Sequence, residues 1–266
     1  VELVGLVAGE VLGAQHLDRA GLSSHLRGLG PLGGAVVTGL AELAAMVDHG
    51  RGVESFVASI ETIVHGTTVA TNATLTGTGA KSALLTTEGI RDALEMRRGI
   101  REEQYNNAYT NVKPLVPRYL RAGVKGRLDR AGREIAPLDL AGIMNSYANP
   151  AHEAAAAERV RAAMPDAFLT VSSTLLPSIR FYERVSTTAL NSYVGPKLNR
   201  YVEQLVSRLA SAGFRGTLLI MQSNGGVMAP EVARSSPALT LLSGPAGGPG
   251  AGLFYAKALG VDCAIT

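Results

Sequence analysis

The chain has 266 residues, 46% of them hydrophobic, with 25 basic residues against 22 acidic ones for a formal charge of +3. That is enough apolar material to bury a core in one large or two modest domains, which excludes a disordered chain. The basic residues are spread without a block dense enough to track a phosphate backbone, which argues against nucleic acid, and no apolar run reaches the roughly 18–20 residues that cross a bilayer. A single cysteine, Cys263, excludes an intrachain disulfide and a cysteine-based zinc site, and points to a reducing compartment with the cytoplasm as default.

In chain order, VELVGLVA and VLGAQHL flank Gly9-Glu10 and predict a β-hairpin. Over 35–50, Val36, Leu40, Leu43, Ala44 and Val47 recur at helical spacing, with Gly50 placed to end the helix. SIETIV predicts a strand, HGTTVATNATL (65–75) a polar turn into a helix, and KSALLTTEG another strand. GIRDALEMRRG predicts an amphipathic helix carrying Arg97 and Arg98 at its negative C-terminal end. Residues 100–123, with Pro114 and Pro117, read as irregular, and VKGRLDRAGREIAPLD as a hairpin around Ala131-Gly132. AHEAAAAERVRAAM, between Pro150 and Pro165, predicts a strong helix; FLTVSS predicts a strand, and 186–211 a long helix interrupted at Gly195-Pro196. GTLLIMQS then reads as a buried strand, GPAGGPGAGLFYAKALG as a glycine-rich lead into a helix, and VDCAIT as a strand. Strands alternating with helices give an α/β fold with a mixed sheet.

Four stretches have the composition of a site. In HGTTVATNATL, Thr67 or Thr68 caps the helix and the amides of its first turn suit an anion; equally, the threonines serve only the helix and His65 is a satisfied strand-end histidine. In LLIMQSNGGVM, Asn224-Gly225 signals a turn, and Ser223, Asn224, Gly225 and Gly226 fall beyond the carboxyl end of a strand, where open α/β sheets bind ligands. In LLSGPAGGPGAG, Gly244, Gly247 and Gly248 allow either a close phosphate or close helix–sheet packing, and the spacing matches neither a Walker A loop nor a dinucleotide fingerprint. In YERVSTTALNSYVGPKLNRY, Glu183 and Arg184 precede a capped helix, as an ion pair or as ligand groups.

Taken together and in this order, HGTTVATNATL, GIRDALEMRRG, PLVPR, RLDRAGREIAPLD, NSYANPAHE, LPSIRFYERVSTTALNSYVGP, MQSNGGVM and SGPAGG strongly resemble the A-type subunit of the hydantoinase/5-oxoprolinase family, from about residue 34 to the C-terminus. That family includes subunits of acetone and acetophenone carboxylases and of lactam-opening enzymes. The resemblance implies an actin-like ATPase fold of the sugar kinase/Hsp70 type, with two RNase H-like lobes. Residues 1–215 would form the first lobe with inserted segments, and 216–266 the start of the second. It further implies ATP with Mg2+, used to phosphorylate an amide or enolate oxygen, and a B-type partner subunit, metal-bearing in some members, in a hetero-oligomer.

On that resemblance, His65, Thr67, Thr68, Asn72 and Arg184 are the expected catalytic residues, with no metal of their own. Ser223, Asn224, Gly225, Gly226, Gly244, Gly247 and Gly248 are the expected nucleotide-binding ones. The expected activity is hydrolysis of a hydantoin, 5-oxoproline or lactam; the alternatives are ketone carboxylation and a non-catalytic ATP-binding module. The family's phosphate loops, of the kinds DxGGTFTD and DMGGTSTD, would precede VELVGLVAGEVLG and follow VDCAIT, so these residues are expected to be an incomplete piece of a longer protein.

Overall fold

A computed structural model describes residues 4–7, 34–47, 52–100, 102–128, 131, 133–139 and 148–260. In chain order they form β1 (Val4–Val7), α1 (Gly34–Val47), α2 (Val53–Ser59), β2 (Thr62–Gly66), α3 (Val69–Leu75), β3 (Leu84–Thr87), α4 (Ala93–Met96), β4 (Arg121–Leu128) and β5 (Glu134–Asp139). There follow α5 (Ala151–Ala163), α6 (Ser172–Leu175), α7 (Phe181–Ser211), β6 (Thr217–Met221), β7 (Val227–Met228), α8 (Pro230–Ser235) and α9 (Ser243–Leu259). Two compact units result, one from residues 1–78 with 197–266, the other from 79–196. Residues on either side of the 215/216 division share one sheet, since β6 pairs with β2.

The first unit is built on a mixed sheet in the order β1-β2-β6-β7, with β1, β2 and β6 parallel and β7 antiparallel to β6. The strand partner of β1 is β2, Val4 facing Ile63 and Val7 facing Gly66. The expected return strand after Gly9-Glu10 lies outside the described residues, as do Gly50 and the VDCAIT strand. Helix α1 runs as its spacing predicts and buries Val36 and Leu40. Against them pack Ile63 and Ile220 of the sheet and one face of α7, where Leu198, Val202, Leu205 and Leu209 recur at three- and four-residue steps.

One polar pair sits inside this core. His65 is 1% exposed, and its Nε2 lies 2.7 Å from the Tyr201 hydroxyl, the two rings stacked with centroids 5.7 Å apart. Burial holds the imidazole down at about 4 and pushes the Tyr201 phenol up, the latter opposed by its hydrogen bond with Thr67.

The second unit carries a sheet in the order β3-β4-β5, β3 and β4 parallel and β4 and β5 antiparallel with a register shift near Arg127. β4 and β5 pair antiparallel as the expected hairpin requires, while Gly132 of its turn lies outside the described residues. Three other expectations are corrected here. GIRDALEMRRG makes only the single turn α4, which stops at Arg97 with φ 53. The residues that would extend its apolar face, Met96 and Ile100, are exposed, while Arg97 pairs with Glu102 at 2.5 Å and Arg98 with Glu183 at 2.5 Å. FLTVSS is no strand: Phe168 packs where Gly195 leaves room, Thr170 is hydrogen-bonded by α7, and the segment ends in the helical turn α6. Helix α7 runs through Gly195-Pro196 unbroken, because burial of Val194 and Leu198 on either side outweighs the one hydrogen bond that proline removes. The irregular reading of 100–123 holds up to β4, apart from a 3-10 turn at Arg118–Leu120.

Two outcomes follow from this packing. A Cβ on Gly216 would lie 2.3 Å from the Glu61 carbonyl oxygen and 2.5 Å from that of Ile60, both backbone atoms, so Gly216→Ala is expected to lower stability by about 1–3 kcal/mol in urea unfolding. His65, at about 4 when folded against an ordinary 6.5, costs nothing above pH 6.5. As pH falls toward 4 the unfolded chain takes up a proton that the folded chain refuses, and stability drops by on the order of 3 kcal/mol. Urea midpoints taken across that window in the wild type and in His65→Gln should differ in slope, the variant being flatter.

Candidate functional site

Because β2 and β6 are parallel, both chains leave the sheet at the same edge. The HGTT turn follows β2 there and the QSNGG turn follows β6. Helix α9 begins beside them. The first unit therefore gathers three of the four stretches singled out in the sequence, and their contacts are direct. The Ser243 hydroxyl donates to the Thr67 carbonyl (3.1 Å) and accepts from the Thr67 N–H (3.4 Å). The Leu242 N–H donates to Thr71 Oγ1 at 3.0 Å, and Ser223 N–H donates to the Leu239 carbonyl at 2.7 Å, tying the QSNGG turn to the segment leading into α9. A Cβ on Gly225 would lie 3.6 Å from the Ala246 carbonyl oxygen.

The expected site residues divide by exposure. His65 and Thr67 are buried, His65 held by Tyr201, and Thr67 Oγ1 accepting the Val69 N–H at 3.3 Å. Thr68 and Asn72 are exposed and bonded to each other, Asn72 Nδ2 donating to Thr68 Oγ1 at 3.3 Å. Thr68 stands at the cap position of α3 without making a side-chain cap bond. Ser223, Asn224, Gly225 and Gly226 are exposed. Asn224 Oδ1 accepts the Gly226 N–H at 2.8 Å and the Gly225 N–H goes to the Gln222 carbonyl at 3.1 Å, so the turn, with Gly225 at φ +82, spends these two amides on its own shape.

The glycines of SGPAGG also separate, and all of them lie inside α9, not in a loop before it. A Cβ on Gly247 would sit 2.5 Å from the Met221 sulfur, so this residue is small because α9 packs on β6. Gly248 is half-buried in the next position. A Cβ on Gly244 would meet nothing within 4 Å, leaving open space beside the HGTT turn where a polar ligand can approach the backbone. Just before it, Leu242 is 59% exposed and held in the left-handed region at φ 57, a conformation that costs a non-glycine residue about 1–3 kcal/mol.

Arg184 belongs to the second unit. It is 2% exposed, donates Nη1 to the Ser178 carbonyl at 2.8 Å and lies 5.9 Å from the centre of the Phe181 ring. Residues the sequence reading passed over are Ser243, Thr71 and Tyr201. Ser243 had a legible signal, a serine opening a glycine-rich helix; Thr71 and Tyr201 had none, since their partners lie 171 and 136 positions away.

Comparison with known proteins bears on this arrangement. The family model for the hydantoinase/oxoprolinase N-terminal region matches residues 33–145, and that for hydantoinase/oxoprolinase matches residues 184–266. The chain is 37% identical over 253 residues to caprolactamase subunit alpha of Pseudomonas jessenii, covering 87% of this chain and 36% of that one. It is 34% identical over 137 residues to 5-oxoprolinase 1 of Arabidopsis thaliana, covering 52% of this chain and 10% of that one. It thus spans about a third or less of the length of these relatives. The crystal structure of the ATP-dependent caprolactamase from Pseudomonas jessenii superposes with a TM-score of 0.76 at 36% identity, over 86% of this chain and 36% of that one. A nucleotide-free acetone carboxylase shares the fold, with a TM-score of 0.72 at 22% identity over 85% of this chain and 36% of that one. No described helix is long and apolar enough to cross a membrane. With the two family models meeting most of the chain and the fold shared with caprolactamase, this protein belongs to the hydantoinase/oxoprolinase family and has its actin-like ATPase type of fold.

Proposed function

We propose that this chain is part of an ATP-dependent hydrolase subunit that opens a cyclic amide, a hydantoin, 5-oxoproline or lactam, by phosphorylation of the amide oxygen. The observation that carries the reading is the meeting of the HGTT turn, the QSNGG turn and the start of α9 at one edge of the parallel strands, where α/β sheets bind their ligands. The caprolactamase and oxoprolinase relatives support the cyclic-amide substrate.

ATP, with Mg2+, supplies the phosphoryl group that makes an inert amide oxygen a good leaving group, an activation that a single general acid or base, worth about 10²–10⁴-fold, does not match. The chain's own residues hold and orient. Thr68, Asn72, Ser223 and Asn224 present exposed hydroxyl and amide groups, and the backbone at Gly225, Gly226 and Gly244 lets a phosphate come close. His65 and Thr67 act from beneath: the imidazole, kept neutral by burial, fixes the Tyr201 hydroxyl, which bonds Thr67. Gly247 seats α9 on the sheet. The strained Leu242, where the three stretches meet, is of the kind that concentrates at functional sites. A B-type partner subunit, of the kind that is metal-bearing in some members of the family, completes hydrolysis in a cytoplasmic hetero-oligomer; the caprolactamase relative is itself named as an alpha subunit.

A second reading, ATP-dependent carboxylation of a ketone, is favoured by the acetone carboxylase fold. ADP release by the full-length chain with its partner subunit separates the two: stimulation by a lactam or hydantoin is expected, and stimulation only by a ketone with bicarbonate would transfer the protein to the second reading. In the same assay Thr68→Ala and Asn224→Ala should each lower turnover at least tenfold, roughly 1.4 kcal/mol of transition-state stabilisation, without a shift in the urea midpoint. Wild-type turnover in both would reduce these side chains to turn and helix-end duty.

A further inference from the structure

The polar pair in the core of the first unit is not accounted for by stability. Tyr201 belongs to the face of α7 that buries Leu198, Val202 and Leu205, and His65 lies on the same side of β2 as the buried Ile63. The two rings meet through the single bond of 2.7 Å at Nε2, and the other imidazole nitrogen, Nδ1, is buried without a hydrogen-bond partner among the described residues. A buried polar atom left unmet keeps its full desolvation cost, whereas replacing both members of such a pair by apolar groups of similar shape is close to neutral or stabilising. Stability alone therefore favours two hydrocarbon side chains here.

The hydrogen bonds of the pair run in one direction. Thr67 opposes the rise that burial imposes on the Tyr201 phenol, which requires a bond donated to the phenol oxygen. With its oxygen taken by the Thr67 hydroxyl, the phenol gives its own proton to His65 Nε2. A neutral imidazole that accepts at Nε2 carries its hydrogen on Nδ1, so the unmet group is an N–H, and burial keeps the ring from taking up a second proton. Thr67 is thereby tethered through every polar group it has. Its hydroxyl gives to Tyr201 and accepts the Val69 N–H at 3.3 Å, and its backbone N–H and carbonyl are both met by Ser243. The next residue, Thr68, is exposed beside Asn72.

We infer that Tyr201 is a positioning residue of the reaction: its phenol, oriented by His65, fixes the Thr67 side chain and through it the turn that presents Thr68 and Asn72. The two rings are 1% and 8% exposed, so they act on the turn above them and not on a ligand. What they contribute is orientation, and misplacing a contacting group by an ångström costs on the order of a hundredfold in rate. Without the pair, Ser243 still holds the Thr67 backbone, but the side chain loses the bond that sets its direction. The inference rests on the hydrolase reading above and adds to it a residue 136 positions from its partner, kept for rate and not for stability.

The test sets rate against stability in the full-length chain with its partner subunit, using the double variant His65→Leu with Tyr201→Phe, which keeps the bulk of both side chains and removes their polar atoms. Its urea midpoint should equal or exceed that of the wild type. Its kcat for ADP release with ε-caprolactam should fall at least about tenfold, with KM for the lactam and for ATP within about twofold, the signature of lost orientation and not of lost binding. Hydrogen exchange over residues 66–72 should quicken while the rest of the first unit keeps its protection. His65→Gln, whose amide oxygen can take the Tyr201 proton, should turn over at least about fivefold faster than His65→Leu. A double variant that is less stable than the wild type, or unfolded, would overturn the inference by making the pair a structural one, and so would wild-type kcat in a stable double variant. Should no cyclic amide stimulate ADP release by the wild type, the hydrolase reading falls and exchange decides for Tyr201 by itself: faster exchange over 66–72 in the stable double variant upholds its positioning role, and unchanged protection there overturns it.

Discussion

The candidate site in the first unit depends on one buried hydroxyl. Ser243, fully shielded from solvent, satisfies both the N–H and the carbonyl of Thr67, a residue 176 positions away. A hydroxyl is the smallest group able to donate and accept at once. Each bond contributes only about 0.5–1.5 kcal/mol net, but leaving the two backbone groups of Thr67 buried and unmet costs about 1–3 kcal/mol apiece. The start of α9 is therefore tied to the end of β2, and any ligand lying against Thr68 or Gly244 meets two elements whose separation is set.

Around this tie the molecule sorts its polar residues by depth. His65, Tyr201 and Thr67 form a buried series beneath the turn, and Thr68, Asn72, Ser223 and Asn224 lie above it. The lower series keeps an imidazole that burial makes neutral across the physiological range, so it orders the turn without placing a charge under it. Gly247 serves the same end by subtraction: without a Cβ, α9 lies close on Met221 and its first turn reaches the sheet edge.

The second unit is stabilised differently. Its surface segment after α4 has little regular structure and is held by charges: Arg118 makes two bonds to Asp92 at 3.0 and 3.1 Å, and Arg121, fully buried in its side chain, reaches Glu95 at 3.2 Å and the Val116 carbonyl at 2.9 Å. Glu102 is drawn down to about 2 by its hydrogen bonds from Arg97 and Tyr109. Ion pairs at such exposure add little to global stability, yet several converging on one segment define its course. The unit's interior is given over to Leu84, Leu94, Val116, Val185 and Ala189 and to a cavity beside them.

Much of this was readable from the residues. The helix at 34–47, the strands at 62–66 and 217–221, the hairpin of β4 and β5 and the helix at 151–163 follow periodicity and punctuation, because those segments bury one face each and local chemistry agrees with the tertiary outcome. The QSNGG turn was legible for the same reason, its Asn-Gly pair being satisfied within five residues. Where local signals were overridden, a distant partner decided. Pro196 did not break α7 because the helix is clamped by burial on both sides, FLTVSS became a strut against α7 through Thr170, and Arg97 and Arg98 left α4 for carboxylates elsewhere in the chain. By itself the sequence determined which stretches form polar and glycine-rich turns and that they belong on an α/β scaffold. Only the tertiary structure decided that three of them meet, which of their side chains face solvent, and that Ser243, Tyr201 and Thr71 hold them together, since contacts spanning 136 to 176 residues leave no periodic trace in the chain.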